Sequence, residues 1–457
     1  MVDYTLRYAD MRRKVIMREK ITIERLAYGD AGVGKCSDGR IAFVDGTCPG
    51  DVVEISIRED KGRFVTADLL GIEEASSHRV SPACPFADSC GGCGWQHISY
   101  ETQVNAKREA VVSQLIRTAR IEAGAAEALV DACVGSKKTL GYRNKIELAG
   151  TWDRTHGYRL GFHGKKSAEL ISPDTCPLAH PSLKKAPKSL RGALRYLQGS
   201  NDLGIFRVGI RHSERTGSCE VALWTKPGAF PRKEVAKTLE SALKTSSVVR
   251  VMTADDGHAR KLKGVEALSG KGFWEETVAG TTFKVSAPSF FQVNTAQADM
   301  LVKLALDALS IRKDETVADL YCGIGTFTIP LAQACDYVIG VESYGSSVRD
   351  LRRIAQSKQL DIEIIGGDAA RELPEIGELD ALLVDPPRSG LASEIIGSIV
   401  QAAPSRMVYV SCNPSTWARD VLRLHEAGFE LVKATPVDMF PQTYHTEVVS
   451  LFVNTRG

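Results

Sequence analysis

The sequence predicts an α/β protein in three parts: a small closed β-barrel over residues 1–75, a central α+β region over 76–280, and a doubly wound sheet with helices on both faces over 281–457. Three observations predict it. Residues 15–72 read as short alternating runs broken by glycines (VIMREKITIERLAYG, GKCSDGRIAFVDG, DVVEISIREDKG, RFVTADLLG), the pattern of four or five short strands. After about residue 281, apolar strand runs alternate with helical stretches, as in a sheet buried on both faces. The length of 457 residues suits about three domains at roughly 150 residues each.

Composition narrows the function classes. Hydrophobic residues make up 43% and charged residues 25%, near the averages for globular proteins, which argues against a disordered or collagenous chain. No apolar run approaches the ~18 residues of a membrane helix, and the start MVDYTLRYADMRRKVIM lacks a signal-peptide core. The expectation is a soluble, cytoplasmic protein with no membrane partner, and a monomer by default. Net charge is only +2, but its distribution is uneven. Residues 136–215 carry 16 Lys/Arg against 6 Asp/Glu, whereas 281–457 carry 15 against 22. A basic middle suits phosphate contact, although on charge alone a solvated surface explains it as well.

The barrel comes first because closure removes exposed strand edges, and OB-like barrels often bind single-stranded nucleic acid. Next, CPFADSCGGC places Cys84, Cys90 and Cys93 where three thiolates can surround one metal centre, followed by an amphipathic helix, ETQVNAKREAVVSQLIRTA. Eleven cysteines in a chain without an export signal point to metal or catalysis more than to disulfides. The fourth ligand has three candidates, Cys133, Cys176 and Cys219. Cys176 is preferred because SPDTCPL is a turn-rich loop, while the other two lie in apolar runs. Spacing does not separate zinc from an iron-sulfur centre. The rest of the central region mixes strands (KIELAG, RLGFHG, FRVGIRH, CEVALWT, VVRVMTA) with a helix near 183–198.

Seven strands are predicted at the C-terminal end: 316–321, 337–342, 362–368, 381–385, 406–412, 429–438 and 447–453. Ligands of such sheets bind beyond the carboxyl ends of the strands. There the first strand enters DLYCGIGTFTIP, where Gly323 and Gly325 allow a tight turn. Glu342 ends the second strand and is placed for ribose hydroxyls. Asp368 ends the third and suits an adenine edge, and Asp385 opens DPPRSG after the fourth. Thr328 stands where a dinucleotide fingerprint has its third glycine, so the following helix is not expected to pack as it does around a pyrophosphate. Singly, each acid reads equally well as a helix cap. In strand order, these features point to S-adenosylmethionine. Cys412 ends the fifth strand in SCNPS, Glu447 begins the last in YHTEVV, and Gln292 lies in SFFQVNT ahead of the first strand. Cys322 and Cys335 are expected to be buried structural residues.

SFFQVN, DLYCGIGTFT, VDPPRSG, VSCNPSTWARD and HTEVVSLF together resemble the RNA uracil-5-methyltransferases, and the barrel segment, through GDAGVGKCSDGRIAFVDGTCPGDVVEISI, resembles a TRAM domain. The resemblance implies a Rossmann-like, seven-stranded methyltransferase domain behind a TRAM barrel and an iron-sulfur domain. It implies Cys412 as nucleophile and Glu447 as general base, with Gln292, Tyr321, Glu342 and Asp385 contacting S-adenosylmethionine and Asp368 a further contact. It implies a 4Fe-4S cluster on Cys84, Cys90, Cys93 and Cys176. Thr326 departs from relatives that carry asparagine there. Members with both barrel and cluster are similar to 23S ribosomal RNA enzymes, with transfer RNA and an exocyclic-amine target as alternatives. Uracil C5 is a poor nucleophile until a thiolate adds to C6, and the base must leave its stack to be reached. Phe290, Phe291 and Tyr444 are candidates to stack on it.

Overall fold

A computed structural model describes residues 18–199, 201–254 and 262–456. They form two compact units, one of residues up to 80 with 97–99, the other of 81–96 and 100 onward. The first unit is a closed barrel of β1 (Arg18–Leu26), β2 (Ala31–Lys35), β3 (Ile41–Asp45), β4 (Val52–Asp60) and β5 (Phe64–Glu74), in the order β1-β2-β3-β5-β4. Alternation aims Ile21, Ile23, Ala42, Val44, Val53, Ile55, Val65 and Ala67 inward, so every strand buries one face without a free edge. Gly34 lets β1 and β2 close together, since a Cβ there would stand 2.5 Å from the Thr22 carbonyl oxygen. Below the barrel, buried Asp51 accepts from Arg79 at 2.8 Å and from the Ser76 amide at 2.9 Å.

In the second unit, the cysteine-rich segment is followed by α1 (Tyr100–Arg117) and α2 (Ala123–Leu129). The central sheet contains β6 (Lys145–Asp153), β7 (Gly157–His163), β8 (Leu170–Ile171), β9 (Ile205–His212), β10 (Cys219–Thr225), β11 (Ser247–Thr253) and β12 (Leu262–Gly270), ordered β12-β11-β10-β9-β6-β7-β8. The helices α3 (Ala186–Gln198) and α4 (Arg232–Leu243) cover one face, with Leu190, Leu194, Val235 and Leu239 buried against Val208, Val221 and Leu223. A hairpin of β13 (Trp274–Val278) and β14 (Thr281–Val285) then leads to α5 (Thr295–Leu309).

The C-terminal sheet comprises β15 (Thr316–Leu320), β16 (Tyr337–Glu342), β17 (Glu363–Gly366), β18 (Ala381–Val384), β19 (Arg406–Ser411), β20 (Phe429–Val437) and β21 (Glu447–Asn454). Between them run α6 (Thr328–Ala334), α7 (Gly345–Lys358), α8 (Ala369–Ile376), α9 (Ser393–Ala402) and α10 (Pro414–Glu426). The order β17-β16-β15-β18-β19-β21-β20 places the switch point between β15 and β18, and only β21 runs antiparallel to its neighbours. The continuous apolar runs have the expected cause: β18 and β19 are buried on both faces.

One face packs against α5, α6, α7 and the β13–β14 hairpin. The other packs against α8, α9 and α10, and also against α1 and α2 through Val111, Val112, Leu115, Ala126 and Val130. Bridges Val130 to Ala434 and Val134 to Val437 extend the sheet beyond β20. The helix that follows the cysteine segment thus belongs to the core of the C-terminal sheet. Among the described residues no helix is long and apolar enough to cross a membrane.

Candidate active site

The carboxyl ends of β15, β16, β18 and β19 and the start of β21 meet at one edge of the C-terminal sheet. After β15 the chain turns sharply: Tyr321 has φ +62°, Gly323 +58° and Gly325 +91°. Gly325 is required by space as well as by angle, because a Cβ would stand 2.4 Å from Leu351 Cδ1. At Gly323 a Cβ would meet nothing within 4 Å, leaving open room at the mouth of the turn. Glu342 accepts from the Gly323 amide at 2.9 Å and from the Tyr344 amide at 2.6 Å, so one carboxylate ties the β15 and β16 loops together.

Thr328, at the third-glycine position, packs its side chain between α6 and the sheet. The space it needs is opened opposite, at Gly340 of β16, where a Cβ would lie 3.2 Å from Thr328 Cγ2. Its hydroxyl donates to Asp319 at 2.6 Å. Burial pushes the Asp319 carboxyl up to about 8, and its Oδ1 has no hydrogen-bond partner.

Asp368 caps α8, accepting from the Ala370 amide at 3.1 Å, and is exposed. Gln292 is buried, and its carbonyl accepts from Asn144 at 3.0 Å. Cys322 and Cys335 are buried, in keeping with a structural role. Phe290 is 69% exposed and Tyr444 half-buried, its ring tilted against that of His445 with centroids 4.2 Å apart. Phe291 is not available to stack on a base: it is core, 5.4 Å from the ring of Phe283 and 5.9 Å from that of Trp274.

Cys412 is half-buried directly after β19, with Pro414 starting α10. The DPPRSG loop lies beside it, because Asn413 and Thr416 both donate to the Arg388 carbonyl at 3.1 Å. Buried Asp420 holds the far side of that loop, accepting from the Leu391 amide at 2.8 Å and from Tyr409 at 2.9 Å. Glu447 is buried at the start of β21.

The register of β19 against β21, with Ser411 opposite Val448, sets Cys412 beside Glu447, and the pairing of Val384 with Tyr409 brings Asp385 to the same edge. Burial, then the charges of Glu447 and Asp385, push the Cys412 thiol up to about 12, and Arg388 opposes them. Burial and Asp385 raise Glu447 to about 8, against Arg388 and Lys107. Burial alone raises Asp385 to about 7. A thiol, two carboxyls that titrate near neutrality and a guanidinium form a set suited to addition followed by proton removal.

The sequence pattern of the tRNA (Uracil-5-)-methyltransferase family matches residues 276–376 and 373–455, and that of the TRAM domain matches residues 12–70. The 23S rRNA (uracil(1939)-C(5))-methyltransferase RlmD of Shewanella halifaxensis is 34% identical over 438 residues, 94% of this chain and 95% of that protein. The chain belongs to the RNA uracil-5-methyltransferase family. An uncharacterized RNA methyltransferase of Thermosynechococcus vestitus is 33% identical over 447 residues, 95% of this chain and 98% of that one. The crystal structure of Pyrococcus abyssi tRNA (uracil-54, C5)-methyltransferase in complex with S-adenosyl-L-homocysteine superimposes with a TM-score of 0.73 at 27% identity, covering 96% of this chain and 100% of that one.

In this RNA uracil-5-methyltransferase, Cys84, Cys90, Cys93 and Cys176 line one cavity of about 210 Å³, together with Phe86 and Phe162. The segment is pinned to the central sheet: the Gly91 amide donates to the His163 carbonyl at 3.0 Å and the Lys165 amide to that of Ser89 at 2.7 Å. Cys219 is buried within β10, and Cys133 lies near Asp438. Among the described residues no three His, Cys, Asp or Glu side chains stand close enough to hold a single metal ion.

Sequence reading passed over Asp420, Asp319 and Lys107. Two of them carried a signal. Asp420 sits in the apolar stripe Trp417, Val421, Leu424 of α10, and Lys107 in the stripe Gln103, Val111, Leu115 of α1.

Proposed function

We propose that this chain transfers the methyl group of S-adenosylmethionine to C5 of a uridine in RNA, with 23S ribosomal RNA the preferred substrate and transfer RNA the alternative. The observation that carries this reading is the reachable thiol of Cys412 beside Glu447, Asp385 and Arg388. The 34% identity to RlmD, against 27% to the Pyrococcus abyssi transfer RNA enzyme, supports ribosomal RNA.

The residues at hand suit each step. The Cys412 thiol gives up its proton to solvent and the thiolate adds to C6 of the extruded uracil, so the C5–C6 double bond opens and electron density moves onto C5 and O4. S-adenosylmethionine, when bound, supplies the electrophilic methyl group and leaves as the thioether. The open turn at Gly323, with Tyr321, Glu342 and Asp385 around it and Gln292 and Asp368 as further contacts, would hold it. Glu447 then takes the proton from C5, the double bond re-forms and the Cys412 thiolate departs. Glu447 must be ionised for that step, so product release should quicken as pH rises toward about 8. Phe290 and Tyr444 are the aromatic rings left to stack on the base.

We assign the four-cysteine cavity to a 4Fe-4S cluster with a structural role. Burial raises the Cys90, Cys93 and Cys176 thiols, and a cationic centre would reverse this. Anaerobically purified protein should contain iron and sulfide and absorb in the visible charge-transfer region; zinc without iron would contradict the assignment.

Incubation with labelled cofactor and separate ribosomal and transfer RNAs, followed by nucleoside analysis, tests the function. 5-Methyluridine in 23S RNA is expected. A methylated exocyclic amine, or label retained by Cys412→Ala, would overturn the reading, and 5-methyluridine in transfer RNA alone would replace the substrate.

A further inference from the structure

Glu447 reaches the site at the end of a loop, residues 438–446, that links β20 to β21. That loop is held from below by α1, more than 300 residues away in sequence. The Lys107 ammonium donates to Asp438 Oδ1 at 2.5 Å, to the His445 carbonyl at 2.8 Å and to the Phe440 carbonyl at 3.2 Å. Both members of the Lys107–Asp438 pair have no solvent exposure. Tyr100 donates to the other Asp438 oxygen at 2.7 Å. One turn on from Tyr100, Gln103 accepts from the Gln442 amide at 2.9 Å and donates to Gln442 Oε1 at 3.0 Å.

A buried ion pair is expensive relative to apolar packing, and retaining one only to fix a loop is an inefficient use of a lysine. Here the ammonium also bonds the carbonyl of His445, two residues before Glu447, and its charge favours the Glu447 carboxylate. The other charged or titratable groups facing Glu447 are Asp385 and Arg388 on the loop after β18 and Cys412 after β19. Asp385 disfavours the carboxylate and Arg388 favours it, but Arg388 is exposed and screened by solvent. Lys107 is the buried cation of the set.

We propose that Lys107 is a positioning residue for the base: it fixes the loop that presents Glu447, and its buried charge favours the ionised form that proton removal from C5 requires. The proposal rests on Glu447 being that base.

The test measures the release rate of the protein–RNA intermediate against pH, in single turnovers with an RNA substrate and S-adenosylmethionine. Lys107→Met removes a charge that favours the carboxylate. The acid limb should move to higher pH by at least about half a unit, so release at pH 7 slows by about threefold or more. Asp438→Asn removes the compensating negative charge while leaving three oxygens around the ammonium, so the limb should move to lower pH. Opposite shifts support the proposal.

A loss by one factor at every pH, or no shift in either variant, would overturn it and leave Lys107 as packing only. If Lys107→Met fails to fold, as judged by its thermal transition, the downward shift in Asp438→Asn carries the test alone. Glu447→Gln separates the two levels of the argument. If it releases intermediate with the wild-type pH dependence, Glu447 is not the base; if it blocks release while the Lys107 and Asp438 variants leave the limb in place, only the role of Lys107 fails.

Discussion

A thiol crowded by two carboxyls is a weak nucleophile at rest, and Cys412 is in that position with its proton held up to about 12. In the free protein its alkylation by iodoacetamide, followed on the peptide containing residue 412, should be slower at pH 7 than that of an ordinary thiol. It should rise about tenfold per pH unit well past pH 9. At pH 9, where Glu447 is ionised, Glu447→Gln removes a neighbouring charge that disfavours the thiolate, so alkylation there should become faster while turnover is lost. A slower or unchanged rate in that variant would mean the two side chains do not interact. Asp420 offers a structural counterpart: Asp420→Ala strips partners from Tyr409, Arg419 and the Leu391 amide. Denaturant unfolding should show a loss of about 2–4 kcal/mol. Cys412 and Glu447 could be proposed because short motifs at strand ends mark them, and the register of β19 against β21 sets those ends side by side. Lys107 was not, because its meaning lies in Asp438, a partner that only the tertiary fold brings to it.

Among the elements, the central C-terminal strands β15, β18 and β19 were legible because burial on both faces writes continuous apolar runs into the sequence. Helix α1 was legible as a helix, but not in its destination, since an amphipathic stripe says that a face is buried and not against what. The β13–β14 hairpin and α4 left weaker patterns and were not foreseen. The turn after β15 depends on Gly325. Gly325→Ala should cost about 1–3 kcal/mol and weaken S-adenosylmethionine binding in calorimetry, because both φ and the Leu351 contact forbid a side chain there. A variant as stable and as tight as the parent would show that the turn adapts. Residues 84–96 are joined to α1 through the Trp95 carbonyl, which accepts from Gln103 at 3.1 Å. If the four-cysteine cavity holds the cluster proposed for it, removing that cluster should raise amide exchange in 84–96 first. Exchange that rises equally across the central sheet would contradict a local structural role.

For the whole molecule, charge and chemistry occupy different stretches of the chain: the basic excess lies in 136–215, the thiol and its acids in the acidic C-terminal part. Exposed Lys184 and Lys185 belong to the basic stretch. Changing both to glutamate should weaken RNA binding uniformly across sequences and flatten its salt dependence by about one unit per lost phosphate contact. Methyl transfer at saturating RNA should persist. The order of strands in the two seven-stranded sheets was beyond reach from sequence, because register and pairing are settled by contacts between distant segments. The claim that joins all three scales is a covalent bond between Cys412 and C6 of uracil. It is tested most directly with an RNA substrate carrying 5-fluorouridine at the target, where the position that must lose a proton holds fluorine. We expect a stable protein–RNA species whose digestion yields the peptide containing residue 412 joined to a methylated, fluorinated nucleotide. Free protein and free RNA after full methyl consumption, or a nucleotide bound to any other residue, would contradict it.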